Sequence, residues 1–436
     1  MRSLLERLAL HRPELRAWAL YDWANSVYMT SVLATLLPLY FRTVAGGSLP
    51  QGTATARFAV ATACAVTIVA LISPFFGALA DYAGTRKAML ARFLAIGVTS
   101  TAALALVGPG DWALCVFLFI AGNVGASASI VFYNSLLPHV ARPEEVNRLS
   151  TAGFALGYLS GGLVLALNLL MIQRHEALGI PDSEAAMRLA FVMAALWWAI
   201  FSIPVLLRLS EPPRLEATAL ERGRPLPSIV LGRLKTTLLG LRNHRDAGLM
   251  LLGYLLYNDG VNTIIRMAAI YATDIGISRT AMLLGILMVQ FIGIPFAFLA
   301  GFLADRLGVK RVIFLTLFVY VIIAWLGYRM TQDSDFLLLA GLVGLVQGGA
   351  QGLGRSLFAS LVPRHKSAEM FGFFGVFDKF GGVIGSALFA LTVSLTGSGR
   401  LAILALSVLF VAGAIVLSFV NVERGRAAAR AAEAQR

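Results

Sequence analysis

Twelve long apolar runs recur along this chain of 436 residues, and they restrict its fold more than any other feature. Each run is close to the length of about 20 residues that crosses the hydrocarbon core of a bilayer. Inside lipid every backbone polar group must be satisfied within the segment, which favours the α-helix for such runs. Charged residues make up only 14% of the sequence, well below their share in a soluble domain. We therefore expect an all-α membrane protein.

The predicted spans form two sets of six, separated by the least apolar stretch of the chain. The first set covers about residues 17–41, 56–82, 88–108, 112–136, 149–172 and 187–208. The second set covers about residues 247–272, 281–304, 310–329, 335–360, 368–396 and 399–421. Prolines and like charges in the intervening residues 209–246 predict a cytoplasmic linker. The expected domains are an N-terminal bundle over 1–208 and a C-terminal bundle with a basic tail over 247–436.

The net charge of +13 is explained by the placement of the basic residues rather than by a nucleic-acid partner. Most of the 36 Lys and Arg residues lie in the N-terminus, in alternate loops and in the C-terminus. This asymmetry follows the positive-inside rule and predicts that both termini are cytoplasmic. The only cysteines, Cys64 and Cys115, lie in apolar runs and lack the spacing of a metal or redox site.

A loop motif occurs twice in the chain. Residues 77–87 and 301–311 share the pattern Gly-x-Leu-Ala-Asp-x-x-Gly-x-basic-basic, and each copy follows the second span of its set. A match of this length indicates that the two halves are internal repeats. In a membrane chain, such repeats are typical of a transporter whose halves rock about a shared site.

The twelve spans, the six-plus-six duplication and this double loop resemble the major facilitator superfamily. Residues 21–26, Tyr-Asp-Trp-Ala-Asn-Ser, look like the opening signature of its vacuole-effluxer branch, and Gln-Gly-Gly-Ala-Gln at 347–351 is similar to that branch too. The branch contains the autophagy-related vacuolar amino-acid exporters of fungi. The resemblance covers nearly the whole chain. It implies two pseudo-symmetric six-helix bundles and export of amino acids or similar small zwitterions.

The repeated loop also has a mechanical interpretation. Asp81 and Asp305 each close a helix, where a carboxylate can meet the positive N-terminus of a neighbouring helix. Glycines permit the tight turn, and the basic residues after it can face lipid phosphates. The resemblance implies a latch that holds the cytoplasmic side shut; the alternative is that these residues only set topology. The candidate gating residues are Gly77, Asp81, Gly84, Arg86, Gly301, Asp305, Gly308 and Lys310.

A second repeat lies within the spans. Residues 22–26 of the first span and 259–263 of the seventh both read Asp-x-x-Asn-Ser/Thr, a spacing that places the polar groups on one helix face. Ionised groups inside a bilayer are costly, so a functional role is the default hypothesis for them. The candidate substrate or coupling residues are Asp22, Asn25, Ser26, Tyr21, Tyr28, Asn258, Asp259, Asn262, Arg266, Gln347, Gln351, Arg355, Asp378 and Lys379.

Two interpretations of the deep charges stay open. Three acidic and three basic residues balance, which favours salt bridges that only hold helices together; Arg355 is a candidate partner of Asp378. Alternatively, a carboxylate whose partner changes with conformation can take up and release a proton, and Asp22 and Asp259 are the first choices. Gln347 and Gln351 suit polar recognition or an interhelical hydrogen bond. Tyr21 and Tyr28 share a helix face and could line the cavity.

The sequence contains no phosphate-binding loop, nucleophile elbow or metal-ligand spacing, so we expect no enzyme, no ATP hydrolysis and no resident cofactor. The expected function is secondary transport by alternating access, performed by a monomer in the bacterial inner membrane. Protons are the candidate coupling ion, and membrane lipid is the other partner. Two alternatives stay open: a proton-coupled exporter of drugs, sugars or lipid-like compounds, and a non-transporting receptor or lipid scramblase on the same fold.

Overall fold

The computed structural model describes residues 4–50, 52–213, 225–240 and 245–434, and these residues contain helices but no strand. The first-half helices are α1 (Pro13–Ala45), α2 (Thr53–Ala83), α3 (Arg86–Leu106), α4 (Trp112–Val140), α5 (Val146–Gln173) and α6 (Ser183–Arg208). The second-half helices are α7 (Arg245–Asp274), α8 (Arg279–Leu307), α9 (Val309–Arg329), α10 (Asp333–Leu361), α11a (Ser367–Phe380), α11b (Val383–Thr396) and α12 (Gly399–Ser418). Since α11a and α11b form one span, the predicted twelve-helix architecture is confirmed.

Helix α7 is the least apolar of the twelve. The other eleven spans are long and apolar enough to cross a membrane, whereas α7 has the length but a more polar sequence. Its residues Asn258 and Asp259 are fully buried, and the helix packs against α10, α11 and α12. A polar span is stable where its polar groups face neighbouring helices rather than lipid, so α7 marks the polar interior of the second half.

The eleventh span is broken in the middle. Helix α11a ends at Phe380, two glycines follow, and α11b begins at Val383. Gly382 has a φ of 95°, a backbone conformation that glycine adopts far more readily than residues with a Cβ. The sequence Gly381-x-x-x-Gly385 therefore contains a helix break as well as a close contact, since a Cβ on Gly385 would lie 2.3 Å from Thr263 Oγ1.

The two halves meet through pseudo-equivalent helix pairs. Helix α2 of the first half packs against α11a of the second, and α8 of the second half packs against α5 of the first. A Cβ on Gly77 would lie 2.3 Å from the carbonyl oxygen of Ala368, and one on Gly301 would lie 2.1 Å from Thr151 Oγ1. The first glycine of each repeated loop is thus the point where one half approaches the other most closely in these pairs.

The predicted linker includes one described helix, Leu226–Gly240, whose Ile229 and Val230 are buried. Residues 214–224 and 241–244 lie outside the described residues. After α12, a C-terminal helix spans Val422–Ala434, and its Arg424 pairs with Asp246 at 2.7 Å. This contact holds the tail against the start of α7.

Candidate functional site: a polar centre and two latches between the halves

An ion pair joins the two halves inside the bundle, toward the end where α1 begins and α10 ends. Arg355 on α10 lies with its Nη2 2.9 Å from Oδ2 of Asp22 on α1, and its Nη1 lies 3.4 Å from Oδ1. Tyr133 on α4 donates a further hydrogen bond of 2.9 Å to the same Oδ2. Both oxygens of Asp22 therefore face cationic or hydroxyl donors, and we call this contact the central pair.

The guanidinium of Arg355 is enclosed by first-half residues. Its Nε donates to Ser150 Oγ at 2.8 Å, its Nη2 to the Ser150 carbonyl at 2.7 Å, and its Nη1 to Asn134 Oδ1 at 3.2 Å. The rings of Trp18 and Phe154 lie within 4.8 Å of its central carbon. Charge, hydrogen bonds and ring faces all favour a guanidinium here. The second half therefore contributes one cation, and residues of the first half form the site that surrounds it.

The expected pairing of Arg355 with Asp378 is wrong. Depth along a span suggested the pairing, but α10 presents Arg355 toward α1, α4 and α5 of the opposite half. Asp378 Oδ1 instead accepts hydrogen bonds from Tyr254 Oη at 3.0 Å and Asn258 Nδ2 at 3.1 Å. Gln351 Nε2 donates to Asn258 Oδ1 at 3.2 Å, which extends this network within the second half.

Asp259 occupies the break of the eleventh span. Its Oδ1 accepts the backbone N–H of Gly382 and its Oδ2 that of Gly385, at the start of α11b. The carboxylate thus sits at the positive end of that half-helix and satisfies two of its free amides. Although Asp22 and Asp259 share one sequence pattern, Asp22 bonds across the halves and Asp259 within its own half.

Arg266 and Lys379 lie on either side of the same break. A Cβ on Gly382 would lie 3.0 Å from Arg266 Nη1, and one on Gly381 would lie 2.9 Å from Asn262 Nδ2. Lys379 is on the last turn of α11a, where the charge of Asp378 attracts it and the charge of Arg266 repels it. Within the described ranges neither cation makes an ion pair or a side-chain hydrogen bond.

Other predicted residues lie deeper inside the first half. Tyr21 stacks at a tilt on Tyr133, with ring centroids 4.8 Å apart, and Tyr28 on Trp198 at 5.2 Å. Both tyrosines are almost fully buried, so the structure places them in the bundle interior rather than on an open cavity wall. Asn25 is also buried; Ser26 lies against α5, where a Cβ on Gly157 would be 2.4 Å from its hydroxyl.

Gln347 lies on α10, one turn before Gln351. Its Oε1 is buried and accepts no hydrogen bond within the part of the chain that the structure describes. The two glutamines therefore differ: Gln351 joins the Asp378 network, whereas the carbonyl group of Gln347 is left for a water or a ligand.

The first latch is built on Asp81 at the end of α2. Its two carboxylate oxygens accept the backbone N–H groups of Ala368, at 3.0 Å, and Glu369, at 2.9 Å, in the first turn of α11a. A carboxylate at a helix N-terminus is stabilised by the helix dipole and by free amides. Because α11a belongs to the second half, this contact holds the two halves together, and Gly84 with its φ of 65° ends α2 beside it.

Arg86 completes the first latch. Its Nε lies 2.6 Å from Asp81 Oδ1, and its Nη2 donates to the carbonyl groups of Arg364, at 3.3 Å, and His365, at 3.1 Å. The side chain is completely buried, so the expectation that it faces lipid phosphates is wrong. Burial beside a carboxylate and two backbone carbonyl groups of the opposite half favours the rigid, multivalent guanidinium.

The second latch, around Asp305 at the end of α8, uses side chains instead of a helix N-terminus. Asp305 Oδ2 lies 2.6 Å from Arg148 Nε, and its Oδ1 accepts from Asn147 Nδ2 at 3.2 Å. Lys310 donates at 2.7 Å to the carbonyl groups of Ser418 and Val420, at the end of α12. Gly308 ends α8 with a φ of 90°, as the tight turn requires.

Both latches lie on the face that carries the chain ends. Arg148 donates to the carbonyl of Glu6 near the first described residues, and the Arg364 amide donates to Glu433 in the C-terminal helix. This is the predicted cytoplasmic face, and contacts between the halves close it. The sequence analysis did not identify Arg148, which lies in no repeated motif, or the partners of Arg355. The polar residues inside α4 and α5 could have indicated those partners.

Comparisons with known proteins agree with this architecture. A sequence model described as vacuole effluxer, Atg22 like, matches residues 51–430. The uncharacterized MFS-type transporter YxiO of Bacillus subtilis (strain 168) is 35% identical over 93% of this chain and 94% of its own length. Autophagy-related protein 22 of Yarrowia lipolytica is 28% identical over 64% of this chain and 51% of its own length.

Solved structures show the same fold at low sequence identity. The proton:xylose symporter XylE has a TM-score of 0.72 and 15% identity, covering 94% of this chain and 95% of its own. The transporter FucP in the outward conformation has a TM-score of 0.67 and 14% identity, covering 94% and 100%. Since the family model spans most of the chain and the YxiO match spans nearly all of it, the protein belongs to the Atg22-like vacuole effluxer family of major facilitator transporters.

Proposed function

We propose that the protein is a secondary active transporter that works by alternating access and exports amino acids or similar small zwitterions across the bacterial inner membrane. The central pair of Arg355 and Asp22 carries this proposal, because it joins opposite halves inside the bundle. Its formation depends on the relative position of the two halves, which is the quantity that alternating access changes.

Closure of the cytoplasmic face defines the resting step of the cycle. With both latches formed, the halves are held together on that side. Export requires the latches to open so that the substrate enters from the cytoplasm. Separation of the halves there withdraws Arg355 from the site around Asp22, since the two residues lie on different halves. The cycle ends when the latches close again.

Asp22 is the group we assign to proton coupling. Its cationic partner Arg355 belongs to the other half, so the ion pair breaks when the halves separate and forms again when they close. The central pair provides this change of partner in one movement. Asp259, which is held by amides of its own half, does not change partner when the halves separate.

The family supports efflux, since the matching model is described as a vacuole effluxer. The amino-acid class follows from the resemblance of residues 21–26 and 347–351 to the vacuolar amino-acid exporters. The test is counterflow of labelled leucine and tyrosine into liposomes that contain the purified protein. We expect uptake that depends on unlabelled internal amino acid. In a second assay, on liposomes without internal amino acid, an imposed proton gradient should drive net accumulation that a protonophore abolishes. Absence of counterflow for every amino acid tried would overturn the substrate class.

Asp22→Asn separates the effect of proton coupling from an effect on folding in the accumulation assay. We expect it to eliminate proton-driven accumulation. Asp111→Asn is the matched control, because Asp111 contacts only the amide of Gly108 among its side-chain partners and lies in a loop far from the pair. Accumulation by Asp22→Asn at the wild-type level would refute the coupling role.

A further inference from the structure

Four charged groups lie around the break of the eleventh span: the carboxylates Asp259 and Asp378 and the cations Arg266 and Lys379. The Asp259 carboxylate accepts hydrogen bonds from two backbone amides, and the Asp22 carboxylate accepts them from Arg355 and Tyr133. Neither of these aspartates leaves a charge for a ligand cation. Arg266 and Lys379, in contrast, have no ion-pair partner among the residues that the structure describes.

Two unpaired like charges at this depth are costly. Ionisable side chains within spans normally pair with one another or with backbone carbonyl groups. Among the described residues Arg266 and Lys379 make neither contact. Lys379 is attracted by the charge of Asp378 and repelled by that of Arg266. Two cations therefore face the one carboxylate of Asp378, whose Oδ1 already accepts from Tyr254 and Asn258. A further anion beside Arg266 and Lys379 would balance the remaining charge.

The break provides donors for that anion. The Arg266 guanidinium lies against Gly382, and Asn262 Nδ2 lies beside Gly381 and adds a neutral donor. Arg266 is exposed and Lys379 is half-buried, so a ligand can reach both. A guanidinium, an ammonium and an amide match the oxygen atoms of a carboxylate.

We propose that Arg266 and Lys379 form a carboxylate-binding subsite at the break of the eleventh span, and that the substrate is recognised through its carboxylate. This inference rests on the proposed transport function and narrows its substrate class to organic carboxylates. The subsite belongs entirely to the second half. It therefore holds the carboxylate in place while the first half moves.

The test uses three pairs of compounds that differ only in acid against amide: leucine and leucinamide, phenylalanine and phenylalaninamide, and 4-methylpentanoate and 4-methylpentanamide. Thermal unfolding of the purified full-length protein is followed with each compound, since a ligand that binds the folded state raises Tm. We expect the acid of at least one pair to raise Tm and its amide to leave Tm unchanged. Equal shifts by an acid and its amide, or no shift by any acid, would overturn the subsite.

Charge variants assign the effect to the two cations. Arg266→Gln and Lys379→Gln are expected to weaken acid binding at least tenfold, and Lys379→Arg to retain it. Arg279→Gln, at the exposed start of α8, is the matched control and should bind like the wild type. Wild-type affinity in both glutamine variants would contradict the proposal. Their elution as single peaks in size-exclusion chromatography shows that they fold.

The compounds also separate this inference from the proposed function. If only 4-methylpentanoate binds and no amino acid is transported, the amino-acid proposal fails and the subsite stands. If leucine and leucinamide are transported equally well, the subsite fails and the transport function stands.

Discussion

Arg355 and Asp22 lie 2.9 Å apart, yet they belong to different halves of the molecule and are separated by most of its sequence. The pair is surrounded by Tyr133, Ser150 and Asn134, all from the first half. The second half contributes the cation and the first half contributes everything that holds it. This asymmetry makes the pair sensitive to the relative position of the halves.

The central pair should behave as a unit when it is mutated. Removing one partner leaves a buried charge uncompensated, which costs about 3–5 kcal/mol in buried pairs. We expect Asp22→Asn and Arg355→Gln each to lower Tm, and the double variant to lose less than the sum of the two. Thermal unfolding in detergent measures this. Additive losses would mean that the two side chains act independently.

Asp259 and Asp378 should respond differently to the same isosteric change. Asp259 uses both oxygens to accept backbone amides, so Asp259→Asn places an NH2 group against an N–H donor. Asp378 accepts Tyr254 and Asn258 through one oxygen, which the amide of Asp378→Asn retains. An unsatisfied buried group costs about 1–3 kcal/mol, so Asp259→Asn should lower Tm clearly and Asp378→Asn little. Equal shifts in Tm would contradict these hydrogen-bond assignments.

The two latches should differ in strength. Asp81 is buried, with two amides and a guanidinium as partners, whereas the Asp305 side chain is 27% exposed. Partly exposed ion pairs contribute about 0–1 kcal/mol. Asp81→Asn should therefore open the cytoplasmic face more than Asp305→Asn does. Spin labels at the exposed positions 144 and 311 report the opening as a longer inter-label distance, and the reverse order of the two variants would refute this ranking.

Gly77→Ala should prevent full closure of the cytoplasmic face. The added Cβ would lie 2.3 Å from the backbone oxygen of Ala368, which cannot move aside like a flexible side chain. We expect faster hydrogen exchange of the amides of Ala368 and Glu369, measured by mass spectrometry. Gly232→Ala is the control, since its Cβ would meet no atom within 4 Å. Unchanged exchange in Gly77→Ala would show that the helices can separate without loss of the latch.

The helices could be predicted because each is specified by a local run of apolar residues. Turn glycines such as Gly84 and Gly308 were predictable for the same reason, since each stands between two apolar runs. The partner of Arg355 could not be predicted in this way. Its position along α10 is local information, but the direction in which α10 faces depends on how the two halves pack.

The break in the eleventh span could not be predicted, because the same glycine spacing is compatible with two different structures. A Gly-x-x-x-Gly pattern indicates close helix packing, and the same glycines also permit a helix to end. The presence of Asp259 on the neighbouring helix decides between these outcomes, because it supplies an acceptor for the amides that the break exposes. That acceptor lies more than 100 residues away in the sequence.

The break at Gly381 and Gly382 gives the eleventh span a joint. Helix α11a is anchored at its far end by Asp81, and α11b is anchored at its near end by Asp259. Helix α11a is therefore bonded to the first half of the molecule, and α11b to the second half. In the proposed transport cycle, rotation of the halves would bend the span at the glycines instead of tilting it as one piece, and the angle between α11a and α11b would then show which side of the membrane is open.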